Sequence, residues 1–129
     1  MSRHDIRLKR AYAPASADDG IRLLVDRMWP RGVSKQNIKT QAWLKDIAPS
    51  TELRQWFGHV PERWEEFRKR YARELDANPD AVAELRQWLK HGRVTLVYSA
   101  RDTEHNQAVA LRDYLLCVDA VLPPLKKGD

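Results

Sequence analysis

Cysteine is almost missing from this chain: Cys117 stands alone, so no intrachain disulfide can form. Its place in the apolar run 114–118 marks it as a packing residue and argues against a redox or cysteine-metal site. No long apolar span occurs, and the opening MSRHDIRLKRAY is charged throughout. Both a membrane-crossing helix and a secretory leader are therefore unexpected, and the reading is a cytoplasmic protein with no membrane partner. Internal repeats, coiled-coil heptads and low-complexity tracts are absent, which excludes solenoids and fibrous assemblies. No CxxC, HxxxH or HExxH spacing is present, so a metal site is not expected. Helix-turn-helix, RRM and zinc-finger patterns are missing too, and GxSxG, the nucleophile elbow, does not occur.

What remains is 129 residues, 43% of them hydrophobic, enough for one domain with a buried core. We expect a single α/β domain over 1–122 and a loosely ordered tail over 123–129. The 23 Lys and Arg against 18 Asp and Glu leave a formal charge of +5. That balance favours anionic ligands and gives only a weak, nonspecific attraction to nucleic acid. Aromatics such as Trp29, Trp56, Trp64 and Tyr71 are interleaved with the basic residues and could stack on bases. Most of them, however, fall on inward faces.

Periodicity places the elements. Ile6, Leu8 and Tyr12 suggest a short edge strand, followed by a turn-rich linker over 14–20 that is too short for an ordinary crossover helix. The runs Ile21–Val25 and Val94–Tyr98 read as central strands covered on both faces. Residues 30–36 read as a loop, and 42–47 as either a short strand or a helical turn. Ser50 and Gly58 bracket a short helix. Pro61 opens a longer one with Trp64, Phe67, Tyr71 and Leu75 inward; Glu65 with Lys69 and Glu66 with Arg70 form a solvated face. Asn78-Pro79 begins the next helix, ending near Gly92, and Asp102 or Thr103 caps the last. The predicted fold is α/β, one small domain with a mainly parallel central sheet flanked by helices. In such sheets ligands gather beyond the carboxyl ends of the strands.

Two loops lie there. The first, DRMWPRGVSK over 26–35, puts Arg27, Arg31, Lys35, the Trp29 indole and Gly32 directly after a buried strand. Guanidinium groups bind phosphate or carboxylate in bidentate fashion, so this reads as an anion cradle. The competing structural reading pairs Asp26 with an arginine and uses Trp29-Pro30 to seal the sheet edge. In the second loop, SARDTEHN over 99–106, Arg101 precedes a helix start whose free amides favour anions. Its structural alternative is a cap by Asp102 with His105 on solvent. Asp102, Glu104 and His105 lack metal-ligand spacing, and a triad from Ser99, His105 and Asp26 lacks its elbow. Asp26 and Asp102 are the one plausible carboxylate pair for proton work.

The strings RLLVDRMWPRGVSK, AWLKDIAPSTELRQWFGH, PERWEEFRKRYARELDANP and VTLVYSARDTEHNQAVALRDYL together resemble the YeaO-like proteins over about residues 5 to 116. That family is filed among domains of unknown function. The resemblance implies a compact α/β fold and a site around Asp26, Arg27, Trp29, Arg31, Arg101, Asp102, His105 and Asn106. Broader relatives carry a cysteine in the loop after the last central strand, where this chain has Tyr98-Ser99-Ala100, so the resemblance supplies no thiol nucleophile. The expectation is a small enzyme holding an anionic small molecule through Arg27, Arg31 and Arg101, walled by Trp29, with Asn106 as a further contact and His105, Asp102 or Asp26 moving protons. The alternative is a nucleic-acid-binding or regulatory module on the same basic surface. No cofactor can be named.

Overall fold

Five consecutive apolar, β-branched or aromatic residues make β4 (Val94–Tyr98), which is buried along its whole length. In the computed structural model, which describes residues 5–121 and side chains through Leu116, β4 lies between β1 (Ile6–Arg10) and β2 (Ile21–Leu24). The two-residue β3 (Ala42–Trp43) continues the sheet beyond β2. The order is β1-β4-β2-β3 and every pairing is parallel, with Leu8 and Leu23 both opposite Leu96. All four carboxyl ends therefore point the same way. The expectations for the Cys117 side chain and the tail over 123–129 lie outside the described residues.

Alternation along the strands divides the core unequally. Leu23, Val25, Val94, Leu96 and Tyr98 face a large cluster built by α2 (Thr51–Phe57), α3 (Trp64–Asp76), α4 (Pro79–Leu89) and α5 (Gln107–Val121). Leu24 and Val97 face the other way and join a small cluster with Ala11 and Ile38, against which Trp29 and Val33 pack. The expected shortness of the β1–β2 linker explains this asymmetry: residues 11–20 contain only a 3-10 turn, Ala17–Asp19, closed by a Ser16–Asp19 capping box. Helix α1 (Lys35–Ile38), capped by Ser34, supplies the rest of this cover, in a stretch whose composition suggested loop.

With little apolar material on that side, charge fills the gap. Asp19 and Arg22 are 5% and 3% exposed. Arg22 Nη1 donates to Asp19 Oδ2 at 2.6 Å, while its Nε and Nη2 donate to the Ile38 carbonyl. Lys9 Nζ donates to Asp19 Oδ1 at 2.9 Å, and the Thr95 hydroxyl donates to the Asp19 carbonyl at 2.7 Å. Nearly every buried polar group here has a partner, the condition under which a buried network holds.

The helices follow their signals with local exceptions. The Ser50 hydroxyl accepts the Leu53 N–H and Gly58, at φ 52°, ends α2. Phe67, Tyr71 and Leu75 line the buried face of α3, which Pro61–Arg63 introduces as a 3-10 turn. On its outer face Glu66 pairs with Arg70 as the spacing suggests, but Glu65 meets Arg68 instead of Lys69. Asn78 stands at the N-cap of α4 as expected, but without a side-chain capping bond; its amide donates to the Asp46 carbonyl and ties the helix to the 3-10 turn Lys45–Ile47. Residues 42–47 thus form both a short strand and a turn. Among the described residues no helix is long and apolar enough to cross a membrane.

Candidate functional site

The carboxyl ends of β2 and β4 are neighbours, and the chain leaves them in opposite directions. After β2 it runs out to β3; after β4 it passes into α5, which packs on β4 and β1. Diverging connections of this kind leave a crevice at the strand ends. A cleft of about 370 Å³ occupies that position.

Asp26 is one of its lining residues. The ladder extends one residue past β2, where Val25 N–H donates to the Val97 carbonyl at 3.0 Å. Asp26 then turns its carboxylate across to the second loop, accepting the Ser99 N–H at 3.0 Å on Oδ2 and the Gln107 side-chain amide on Oδ1. The Trp43 indole donates to the Asp26 carbonyl at 2.7 Å. One residue therefore stitches both loops together, and it is only 7% exposed. Burial pushes its carboxyl above the ordinary carboxylate range, against the opposing pull of Ser99, Gln107 and the more distant charge of Arg54.

The neighbouring cations are not equivalent. Arg27 commits Nε to the Pro49 carbonyl at 3.2 Å and Nη2 to the Ala48 carbonyl at 3.1 Å, leaving Nη1 for a ligand. Its guanidinium straps the first loop to the chain ahead of α2. Arg31 is exposed; its carbonyl accepts the Tyr12 hydroxyl, but its guanidinium makes no hydrogen bond or ion pair among the described residues. Trp29 is held by an indole bond to the Val33 carbonyl at 2.6 Å and an edge-on contact with Trp43 at 5.4 Å, so the wall it forms is fixed.

Of the residues singled out from sequence, the cleft gathers Asp26, Arg27, Trp29, Arg31 and Asn106, but not Arg101, Asp102 or His105. The reason is where the last helix begins. Neither Asp102 nor Thr103 caps it: α5 starts at Gln107, and Asn106 caps it by accepting the Val109 N–H at 3.0 Å. Asp102 organises a separate turn, accepting the Glu104 and His105 N–H groups and contacting His105 Nδ1 at 2.9 Å. Those bonds, Glu104 first, hold its carboxyl below the usual range. The His105 ring stands edge-on to Trp64 at 5.2 Å. Ser99 and Asp26 line the cleft without His105 or Asp102, so neither the triad built on His105 nor the Asp26–Asp102 pair is assembled.

Sequence reasoning missed Arg54, Gln55, His59 and Gln107, which also line the cleft. Arg54 sits beside the inward Leu53 on α2, and its helical pattern reads as plain solvent exposure. His59 is carried there by two successive left-handed residues, Gly58 at φ 52° and His59 at φ 58°. Nothing in a histidine following glycine announces that turn. Phe57 and Phe67, stacked at 4.5 Å, complete an apolar wall.

The raised carboxyl of Asp26 has a consequence for stability. A carboxyl whose folded value exceeds its unfolded one weakens the fold at neutral pH, and the penalty fades as pH falls through the folded value and then the unfolded one. Asn in its place keeps an acceptor for Ser99 N–H. Asp26→Asn should therefore melt no lower than the parent at pH 7, with the difference disappearing in acid. A thermal-melt series from pH 3 to pH 8 checks this, and a variant clearly less stable at pH 7 contradicts it.

Residues 5–120 match a family model described as the inactive DUF488-N3 subclade. The chain is 43% identical over 110 residues to uncharacterised proteins of Mycobacterium tuberculosis and Mycobacterium bovis, covering 85% of this chain and 92% of each relative. It is 41% identical over 111 residues to the uncharacterised YeaO protein of Escherichia coli, covering 86% of this chain and 96% of that one. No solved structure matches it at a significant level. A model match over residues 5–120 joined to identities above 40% along nearly the whole of each relative shows that this chain belongs to the YeaO-like DUF488 family.

Proposed function

We propose that this chain binds a small anionic molecule in the cleft at the β2 and β4 ends, as a binding or regulatory domain and not as a catalyst. The observation that carries the reading is the convergence of Arg27, Arg31 and Arg54 on one cleft with a single carboxylate. A cleft of about 370 Å³ falls within the range of small-molecule sites, and a fixed Trp29 wall favours a compact ligand over an extended strand of nucleic acid. The groups assigned to proton handling are split, with Asp26 inside the cleft and Asp102 and His105 outside it. The description of the matching family model as inactive supports binding without turnover.

Calorimetric titration with inorganic phosphate and with a small carboxylate tests the reading. Arg54→Ala and Arg31→Ala should each weaken binding about tenfold or more, the roughly 1.5–3 kcal/mol of a charged hydrogen bond. Lys90→Ala, at the end of α4, should leave it unchanged. Equal affinities for the parent and both arginine variants would remove the site. Tight oligonucleotide binding that survives high salt would point to nucleic acid instead.

A further inference from the structure

Asp26 does not suit a cleft built for an anion alone. Its carboxylate lines the same cleft as Arg31 and Arg54, so a phosphate or carboxylate drawn in by those guanidinium groups meets a like charge there. Arg54 acts on Asp26 through space yet closes no ion pair with it. The two opposite charges thus face one cleft without satisfying each other. An ionised carboxylate offers roughly four acceptor sites; the Ser99 N–H, the Ser99 hydroxyl and the Gln107 amide are neutral donors to Asp26, and no cation closes on it. Phe57, Phe67 and Trp29 supply apolar wall, beside the polar side chains of Gln55, His59, Asn106 and Gln107.

Building on the anion-binding reading above, we propose that the occupant is a zwitterion of the α-amino-acid class. Its carboxylate is held by Arg54 and Arg31, its ammonium by Asp26, and its apolar or aromatic side chain by Phe57, Phe67 and Trp29. Such a ligand supplies an opposite charge to Asp26, Arg31 and Arg54, none of which closes an ion pair among the described residues. The same logic rejects the nearest analogues. An acid lacking the amine leaves Asp26 unpaired beside an anion, and an amine lacking the acid leaves the arginines unpaired; sites built to pair a polar group discriminate strongly against ligands that lack it. The cleft volume fits one such molecule and not a chain of them.

The test titrates the full chain with L-phenylalanine, 3-phenylpropionate and phenethylamine, with the corresponding leucine set, and with inorganic phosphate. On the parent chain at least one of the two amino acids should bind tenfold or more tighter than both its deaminated and its decarboxylated analogue. Arg54→Gln, a change at an exposed helical position, should abolish the advantage over the amine. Asp26→Asn should abolish the advantage over the acid. The comparison among ligands needs no variant, so misfolding of Asp26→Asn leaves the test decisive. Analogue acids that bind as tightly as both amino acids, or amino acids that do not bind, overturn the inference. If phosphate and phenylpropionate still bind in that case, the anion-binding reading stands alone; if no anion binds, both fall.

Discussion

Asp19→Ala should destabilise the protein by about 3–5 kcal/mol, the usual cost of removing one member of a buried ion pair. The loss is large because Arg22 cannot follow its partner into water: its Nε and Nη2 remain tied to the Ile38 carbonyl, and its side chain is almost wholly enclosed. Lys9 loses its carboxylate partner at the same time and keeps the Pro14 carbonyl. Burial raises the Asp19 carboxyl, but bonds from Lys9, the Ser16 N–H and Arg22 outweigh it and hold the group below the ordinary carboxylate value. Its contribution to stability is accordingly complete above the unfolded value and is lost as pH falls through the folded one. Urea denaturation at pH 7, repeated in steps toward pH 3, should show a large deficit that narrows in acid. A deficit under about 1 kcal/mol at pH 7 would mean that the network contributes little.

Gly20→Ala is expected to cost about 3 kcal/mol or more, from backbone strain and overpacking together. Gly20 has φ 66°, and a Cβ there would stand 2.5 Å from the Arg93 carbonyl oxygen. That oxygen cannot retreat freely, since it accepts the Ile21 N–H at 2.9 Å where β2 enters the sheet beside β4. The Arg93 guanidinium is itself anchored, to Asp5 at 2.6 Å and to the Asp18 carbonyl at 2.8 Å. Gly32 provides the comparison: φ is 80°, but a Cβ meets nothing within 4 Å. Gly32→Ala should therefore cost only about 1 kcal/mol, the conformational term alone. Parallel denaturation curves decide the matter, and equal losses for the two variants would show that the close approach to Arg93 is unimportant. Because only Val25 separates the end of β2 from Asp26, the register set at Gly20 also sets where Asp26 sits.

The fold was largely legible in the order of residues, because its signals are local. Caps, prolines and apolar periodicity act within a few residues, and they correctly mark β2, α2, α3 and β4. The parallel sheet and the adjacency of the loops after β2 and β4 followed from the apolar character of those two strands. Residues 101–106 misled because Asp102 and Asn106 are equally good caps by type. Which one starts the helix depends on Asn106 being buried and bonded to both Val109 and the Asp102 carbonyl. Four residues of displacement then take Arg101, Asp102 and His105 off the cleft.

The sequence alone was enough for the elements, the basic balance, the lack of disulfide and metal patterns, and a carboxylate and two arginines at the end of a central strand. Only the folded chain decided which cations are available. Arg27 and Arg31 look alike in sequence, yet one guanidinium is strapped to the Ala48 and Pro49 carbonyls and the other is open. Arg54 and His59 enter the cleft from a helix and a turn more than twenty residues away in the chain. Local rules cannot foresee such neighbours, because their proximity comes from packing α2 against α3 and the sheet, and it is burial against those distant partners that gives Asp26 its raised carboxyl and leaves Arg54 facing it across the cleft.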